Sequence, residues 1–369
     1  MSSQSRNAET VFSGVYKNKR VFVTGHNGFK GTWLCMWLTM LGAEVTGFSF
    51  EPTARGSHFD LLRLPNSVRH MEGDIRDLET LARAVEDTRP DFVFHLGAQA
   101  LVREAYRDPK ATFDINVCGS VNVLESCRRC DSVRALVYIS SDKCYRNVEW
   151  EWGYRENDRL GGNDPYSASK GCAEIVFASY SASFLSKDGR LNAASARSGN
   201  VIGGGDWAKD RIVPDSIRAL TAGKPVIIRN PNATRPWQHV LEPLGGYLLL
   251  GSKLYADAGR KFCSPWNFGP DRTSNKTVKE LVTDIIGIWG SGELVVQQDP
   301  NAPHEDTWLQ LNCDKAYHWL KWRPTWHYPD SVNQTILWYK ANSEGRDMRD
   351  FTSSQIETYM ERWKELGHD

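Results

Sequence analysis

The sequence predicts an α/β protein built on a doubly wound parallel sheet, followed by a smaller α/β domain. Three observations carry this. KRVFVTGHNGFKGTWLCMWLTMLGAEVTGFSF runs from a short apolar strand, Val21 to Val23, through three spaced glycines into an apolar-periodic stretch reaching Leu41 and a second strand from Glu44 to about Phe50. Strand and helix patterns then alternate through GDIRDLETLARAVEDTRPDFVFHLGAQ and TFDINVCGSVNVLESCRRC. The later strand VRALVYISS is almost continuously apolar, which suits a parallel sheet covered by helices on both faces. At 369 residues the chain is long enough for two domains, placed at 16–192 and 193–369.

Gly25, Gly28 and Gly31 let the backbone turn sharply and approach a pyrophosphate, whose charge then rests on the N–H groups that open the next helix. Strand, glycine turn, helix and strand together read as a Rossmann-type dinucleotide site, against the alternative of an ordinary turn in an unrelated α/β protein. The spacing is GxxGxxG, a variant of the commoner GxGxxG. Where an acid at the end of the second strand would meet a ribose hydroxyl, the chain has Ser49, with Arg55 farther on, so the residues leave NAD and NADP both open. Asp74 and Ile75, after the next short strand, are candidates for the adenine side, or a plain loop aspartate and its neighbour.

Ligands of such sheets bind beyond the carboxyl ends of the strands. Ser140, Ser141, Asp142 and Lys143, in YISSDKCY, lie at such an end and set an acid beside a base. In GGNDPYSASKGCAEIVFASYSASF, Asp164 is the expected N-cap and Pro165 the first helical residue, so Tyr166 and Lys170 fall one turn apart on the same face. A free phenol is a poor base at neutral pH. An ammonium and the positive ring of an oxidised nicotinamide favour the phenolate, which takes a hydroxyl proton while hydride leaves the adjoining carbon. By itself a Tyr-x-x-x-Lys pair is more often a helix surface; the glycine turn and the polar strand end reverse that preference.

Other classes are set aside on composition. Lys plus Arg and Asp plus Glu number 45 each, so no basic field points to nucleic acid. Cys127 and Cys130 have no second CxxC to complete a thiolate site, and His304, Glu305 and Asp306 lack the repeated spacing of metal ligands, so no metal is assigned. His95 reads as a packed strand-end histidine, and most of the 14 tryptophans as packing residues, with Trp207 or Trp266 as candidates to line a base pocket. The polar N-terminal stretch and the lack of any apolar run near 18 residues point to a cytoplasmic protein away from membranes.

The stretches TGHNGFKG, GDIRD, HLGAQALV, INVCGSVNVLE, ISSDKCY, YSASK, GNVIGGGDW and RPWQHV, reaching from residue 24 to 240, resemble the extended short-chain dehydrogenase/reductase family, and within it the nucleotide-sugar 4,6-dehydratases. SSDKCY, GGGDW and RPWQHVLEP point to the CDP-glucose branch. The resemblance implies a Rossmann domain, a sugar-nucleotide domain with a segment near 235–260 returning to the Rossmann core, and a homodimer or homotetramer. It implies tightly held, recycled NAD, touching Gly25, Asn27, Gly28, Phe29, Gly31, Leu96, Ala98, Tyr166 and Lys170, and CDP-glucose as substrate. Tyr166 is then the base on O4, Lys170 holds the nicotinamide ribose, and Ser141 bonds the 4-oxygen. Oxidation at C4 acidifies the C5 proton, O6 leaves as water, and the hydride returns at C6, giving a 4-keto-6-deoxy sugar.

Relatives with a Thr-Asp-Glu strand end use the Asp to protonate the leaving hydroxyl and the Glu to take the C5 proton. This chain matches the Asp at Asp142 but carries Lys143 in place of the Glu, so that role does not transfer. Lys143 is either a base of depressed pKa or an electrostatic group, and at a loop the pair is also readable as a surface ion pair. Asn200 and the glycines after it suit a substrate wall or a flexible connection, Arg211 and Arg235 the diphosphate or a solvated surface, and His239 either the substrate side of the WQHV turn or a position with no part in the site. A C4 epimerase sharing Tyr166 and Lys170, and a non-catalytic nucleotide-binding regulator, are the competing functions; an acid at Asp142 and the intact tyrosine-lysine pair favour the dehydratase.

Overall fold

Seven parallel strands form the central sheet in the order β11-β6-β5-β4-β1-β2-β3. The computed structural model describes residues 11–50, 57–185, 187, 189–297 and 308–368. The first strands are β1 (Arg20–Thr24), β2 (Glu44–Ser49), β3 (Arg69–Glu72), β4 (Phe92–His95), β5 (Ala135–Ile139) and β6 (Asn192–Ser198). After them come β7 (Val201–Ile202), β8 (Val226–Ile228), β9 (Thr234–Pro236), β10 (Gln238–His239), β11 (Trp266–Phe268), β12 (Asn275–Thr277) and β13 (Leu294–Val296). Strand order reverses between β1 and β4, and a crevice opens at their carboxyl ends.

Helices cover both faces, which is why β4 and β5 are buried at every position. Along β1, Val21 and Val23 join one core while Phe22 joins the other. The first face carries α1 (Phe29–Met40); α2 (Leu78–Thr88), α3 (Gly119–Arg129) and α4 (Pro165–Tyr180) cover the second, through Leu81, Leu124 and Phe177. Later helices are α5 (Ile212–Thr221), α6 (Leu241–Tyr255), α7 (Val278–Trp289), α8 (Tyr328–Ser343) and α9 (Met348–Glu365). Helix α6 lies on β5 and β6, and its Tyr255 ring stacks on Phe92 with centroids 4.6 Å apart.

The second strand stops at Ser49, leaving Phe50 exposed. The boundary at 192/193 falls at the start of β6, which pairs with β5, and β11 adds a further strand from far beyond it. Hydrogen bonding across the sheet, rather than position along the chain, sets the limit of that unit. The polar N-terminal stretch also hides an anchor before residue 16. Val11, Phe12 and Tyr16 are buried, with Phe12 set between Trp37 and Trp363, and the Tyr16 hydroxyl donates to Leu248 O.

Beyond β6 come the small pairs β7–β10, β9–β12 and β8–β13, of which β7 and β9 contribute Val201, Ile202 and Arg235 to the crevice wall, and α9 returns to α1, where Trp37 Nε1 lies 3.2 Å from the Met360 sulfur. Trp266 is buried in β11 and Trp207 packs edge-on against Tyr339; neither is among the residues that line the crevice. Burial in the core accounts for Trp266, and the edge-on contact with Tyr339 holds the exposed Trp207. His95 is buried, its Nδ1 2.7 Å from the Thr24 hydroxyl. Cys127 and Cys130 are buried free thiols. Among the described residues no helix is long and apolar enough to cross a membrane and no group of three ligating side chains gathers; His304, Glu305 and Asp306 lie outside those residues.

One buried ion pair ties α4 to the sheet. Arg197 on β6 and Glu174 on α4 meet at 2.7 Å with side chains 2% and 1% exposed, and Arg197 also donates to the Tyr145 hydroxyl and to Glu156 O. Glu174 additionally accepts from Ser195. Removing one partner strands a buried charge. Arg197→Met is therefore expected to lower unfolding stability by about 3–5 kcal/mol, measured as the shift in a urea unfolding curve, whereas a loss below about 1 kcal/mol would match an exposed pair.

Candidate active site

Two close approaches shape the glycine turn. Gly25 has φ +69°, and a Cβ there would stand 2.8 Å from Gly97 N; a Cβ on Gly31 would stand 2.1 Å from the Gly25 carbonyl oxygen. Only glycine lets β1, α1 and the loop after β4 come this close. Gly28 caps α1 with no side-chain hydrogen bond, so the first N–H groups of a 12-residue helix face the crevice without a side-chain acceptor. That arrangement fits a pyrophosphate.

The crevice is a cavity of about 920 Å³ lined from both halves of the chain. On the adenosine side the Ser49 hydroxyl donates to Asn27 Oδ1 (2.6 Å), Asp74 pairs with Arg76, and Ile75 packs beside Gly119. Phe29, Leu96 and Ala98 also line the cavity. Arg55 lies outside the described residues. All the other residues expected at the cofactor line this one cavity.

Helix α4 begins as expected, with Asp164 accepting from Ser167 N and Pro165 in the first turn. It buries Tyr166 and Lys170, the ammonium 6.0 Å from the phenol ring centroid. Burial pushes the Tyr166 hydroxyl up to about 12, although its hydrogen bond to Ser141 pulls the other way. Burial likewise brings Lys170 down to about 8, opposed by Cys144 and Glu174. In the protein alone, desolvation outweighs the assistance expected between the pair. A phenolate here needs further positive charge.

Ser141, Asp142 and Lys143 follow β5 directly. Asp142 is 3% exposed; its Oδ1 accepts from the Ser141 hydroxyl at 3.0 Å, while Oδ2 is buried without a hydrogen-bond donor. Burial holds its carboxyl above the ordinary carboxylate range, opposed by Lys143, Ser141, Lys30 and Arg235. A surface ion pair is thereby excluded for Asp142. Such a carboxyl suits a proton donor. Lys143 is half-buried beside it on the same cavity wall.

Of the residues expected on the substrate side, Asn200, Arg211 and Arg235 line the cavity. Arg211 is already paired with Asp206 at 2.8 Å, and Arg235 donates to Thr234 O. His239 is not there. Its ring is fully buried between Trp33 and Trp326, with Nδ1 accepting from Leu241 N, and burial lowers its pKa to about 3. The pairing of β10 with β7 aims it into the aromatic core. Among the wall residues not anticipated are Asp206, signalled by the acid in GGGDW, and Lys30, a cation inside the glycine turn.

Comparison with known proteins agrees with this architecture. Residues 21–261 match the NAD dependent epimerase/dehydratase family. The chain is 45% identical over 349 residues to the CDP-glucose 4,6-dehydratase of Salmonella typhimurium, covering 94% of this chain and 97% of that one. The UDP-glucose 4-epimerase of Thermus thermophilus, solved with NAD, superposes with a TM-score of 0.75 at 26% identity, covering 87% of this chain and 99% of that one. A dTDP-glucose 4,6-dehydratase from Streptomyces venezuelae gives 0.75 at 22% identity, covering 89% and 99%. The family match over residues 21–261, together with the glycine turn and the buried Tyr166–Lys170 helix, leads to one assignment: the chain belongs to the NAD dependent epimerase/dehydratase family.

Proposed function

We propose that the chain converts CDP-D-glucose to CDP-4-keto-6-deoxy-D-glucose and water. The observation that carries this is the buried Asp142 carboxyl, held above its usual pKa range beside Ser141 and Tyr166 in one cavity, in a chain 45% identical to a CDP-glucose 4,6-dehydratase. An epimerase needs no acid to expel O6. Bound NAD would supply the hydride acceptor at C4 and return the hydride at C6. Gly25, Asn27, Gly28, Phe29, Gly31, Ser49, Asp74, Ile75, Leu96 and Ala98 are the residues that would hold it.

Tyr166 takes the O4 proton once the positive nicotinamide offsets its burial, Lys170 orients the ribose, and Ser141 bonds the 4-oxygen. Asp142 gives its proton to O6. Arg211, Arg235 and Asn200 face the diphosphate and sugar, with Asp206 sharing Arg211. The unit holding NAD consists of β1–β6 closed by β11 and α6, and the rest of the chain beyond Val201 builds the substrate wall. The working form is a homodimer or homotetramer in the cytoplasm.

Incubation with CDP-, dTDP-, UDP- and GDP-linked hexoses, followed by mass analysis, tests the reaction. Loss of water from the CDP sugar at the highest rate is expected. Equal rates on all four would remove the nucleotide assignment, and unchanged mass with inversion at C4 would make the chain an epimerase.

Lys143 is assigned an electrostatic role, stabilising the enolate formed as the Asp142 carboxylate takes the C5 proton, which Asp142 then hands to O6 so that it leaves as water; a positive charge beside the enolate is all this role needs. Lys143→Met is expected to slow elimination while exchange of the C5 proton with deuterated solvent continues. Loss of exchange along with elimination would make Lys143 the base instead.

A further inference from the structure

Lys30 stands in the first turn of α1, where the helix dipole disfavours a cation. A local preference violated at a site wall calls for a compensating interaction. Lys30 Nζ donates to Ser198 Oγ at 2.8 Å, and that hydroxyl lies 2.8 Å from the Tyr247 hydroxyl, with both Ser198 and Tyr247 buried. The ammonium also lies over the Tyr247 ring, 5.9 Å from its centroid. It is thus fixed from three elements: α1, the end of β6 and α6.

The residue after Ser198 explains what this fixed charge faces. A Cβ built on Gly199 would stand 3.1 Å from Asp142 Oδ2, so the unbonded carboxyl oxygen backs onto the same strand end that anchors Lys30. Charge facing Asp142 comes from Lys143 on its own loop, Lys30 on α1 and Arg235 on β9, with Ser141 hydrogen-bonded to it and the Tyr166, Tyr247 and Cys144 side chains nearby. Lys30 in turn faces Asp142, Arg211 and Lys170. Burial brings its amine down to about 7, with Asp142 opposing and Arg211 and Lys170 adding to the fall.

We propose that Lys30 is a positioning residue for the acid step: clamped by Ser198, it supplies from α1 the positive charge that stabilises the Asp142 carboxylate left after proton donation. This rests on Asp142 being the acid of the proposed reaction. When the Asp142 O–H bond breaks and O6 departs as water, the negative charge stays on a carboxylate with one oxygen unbonded, and Lys30 balances it. The sign follows directly. Removing the cation raises the Asp142 pKa, so the pH at which the acid form is lost moves upward while the acid itself becomes weaker.

The test is the Asp142 titration midpoint in holoprotein labelled with ¹³C at the aspartate carboxyls, the signal assigned by its loss in Asp142→Asn. Lys30→Met is expected to raise the midpoint by about one unit, to move the basic limb of the turnover profile upward by the same amount, and to lower kcat more than it changes KM. Lys30→Arg, which keeps the charge, is expected to restore the midpoint, and Ser198→Ala, which frees the clamp, to raise it by less. An unmoved midpoint in Lys30→Met, or Lys30→Arg behaving like Lys30→Met, overturns the proposal. So does a rise in the dissociation constant for NAD with the midpoint unmoved, which would make Lys30 a cofactor contact. If Lys30→Met does not fold, by circular dichroism, Ser198→Ala decides on the same midpoint. Failure of the wild type to dehydrate CDP-glucose would defeat the proposed reaction, whereas the carboxyl midpoint decides the Lys30 coupling independently.

Discussion

Asp142→Asn is expected to stop the reaction half-way. Asparagine keeps the size and the hydrogen bond from Ser141, so the loop after β5 holds its shape, but it has no proton to give O6. Tyr166 and Lys170 are untouched, and C4 oxidation proceeds. Water loss falls by roughly 10²–10⁴, the usual worth of a positioned acid. Reduced nicotinamide then accumulates and is read by its near-ultraviolet absorbance in a single turnover. A full rate of water loss would take Asp142 out of the acid role. So would the absence of reduced cofactor when water loss is blocked.

Tyr166→Phe is expected to lower turnover by roughly 100-fold or more, with folding and NAD binding retained. The ring is buried and phenylalanine fills nearly the same volume, so the change removes the hydroxyl and its hydrogen bond to Ser141 and little else. Because burial pushes the phenol up to about 12, the wild-type rate should climb with pH wherever proton removal from O4 limits it, and the variant should lose that slope. Pre-steady-state measurement of C4 oxidation separates the two variants: Tyr166→Phe blocks reduction of the cofactor, Asp142→Asn permits it. Near-normal turnover in Tyr166→Phe would remove the tyrosine from the mechanism.

The local features of the site were legible because they are written in adjacent residues. Gly25 and Gly31 are dictated by backbone approaches within one turn, and Tyr166 with Lys170 by the pitch of one helix that Asp164 and Pro165 start. The apolar runs of β4 and β5 announced strands covered on both faces. His239 was misplaced because WQHV reads as a polar turn, and nothing local says that Trp33 and Trp326 will close over its ring. Lys30 passed unnoticed because its partner Ser198 lies 168 residues along the chain and Tyr247 a further 49 beyond that.

The sequence by itself determined the strand–turn–helix units, the glycine turn, the tyrosine-lysine face and the acid at the end of β5, since each depends on periodicity or on contacts between near neighbours. Only the tertiary structure decided that β11 joins the main sheet across β6, that Val11 and Phe12 belong to the core, and that Asp142 is buried with one oxygen unbonded. It also reversed the expected direction at Tyr166. Proximity along a helix suggests that a lysine lowers a phenol, but both groups are removed from water when α4 packs on the sheet, and each loses the solvation of its charged form. Desolvation depends on everything that surrounds a group in three dimensions, which is why no spacing along the chain reports it.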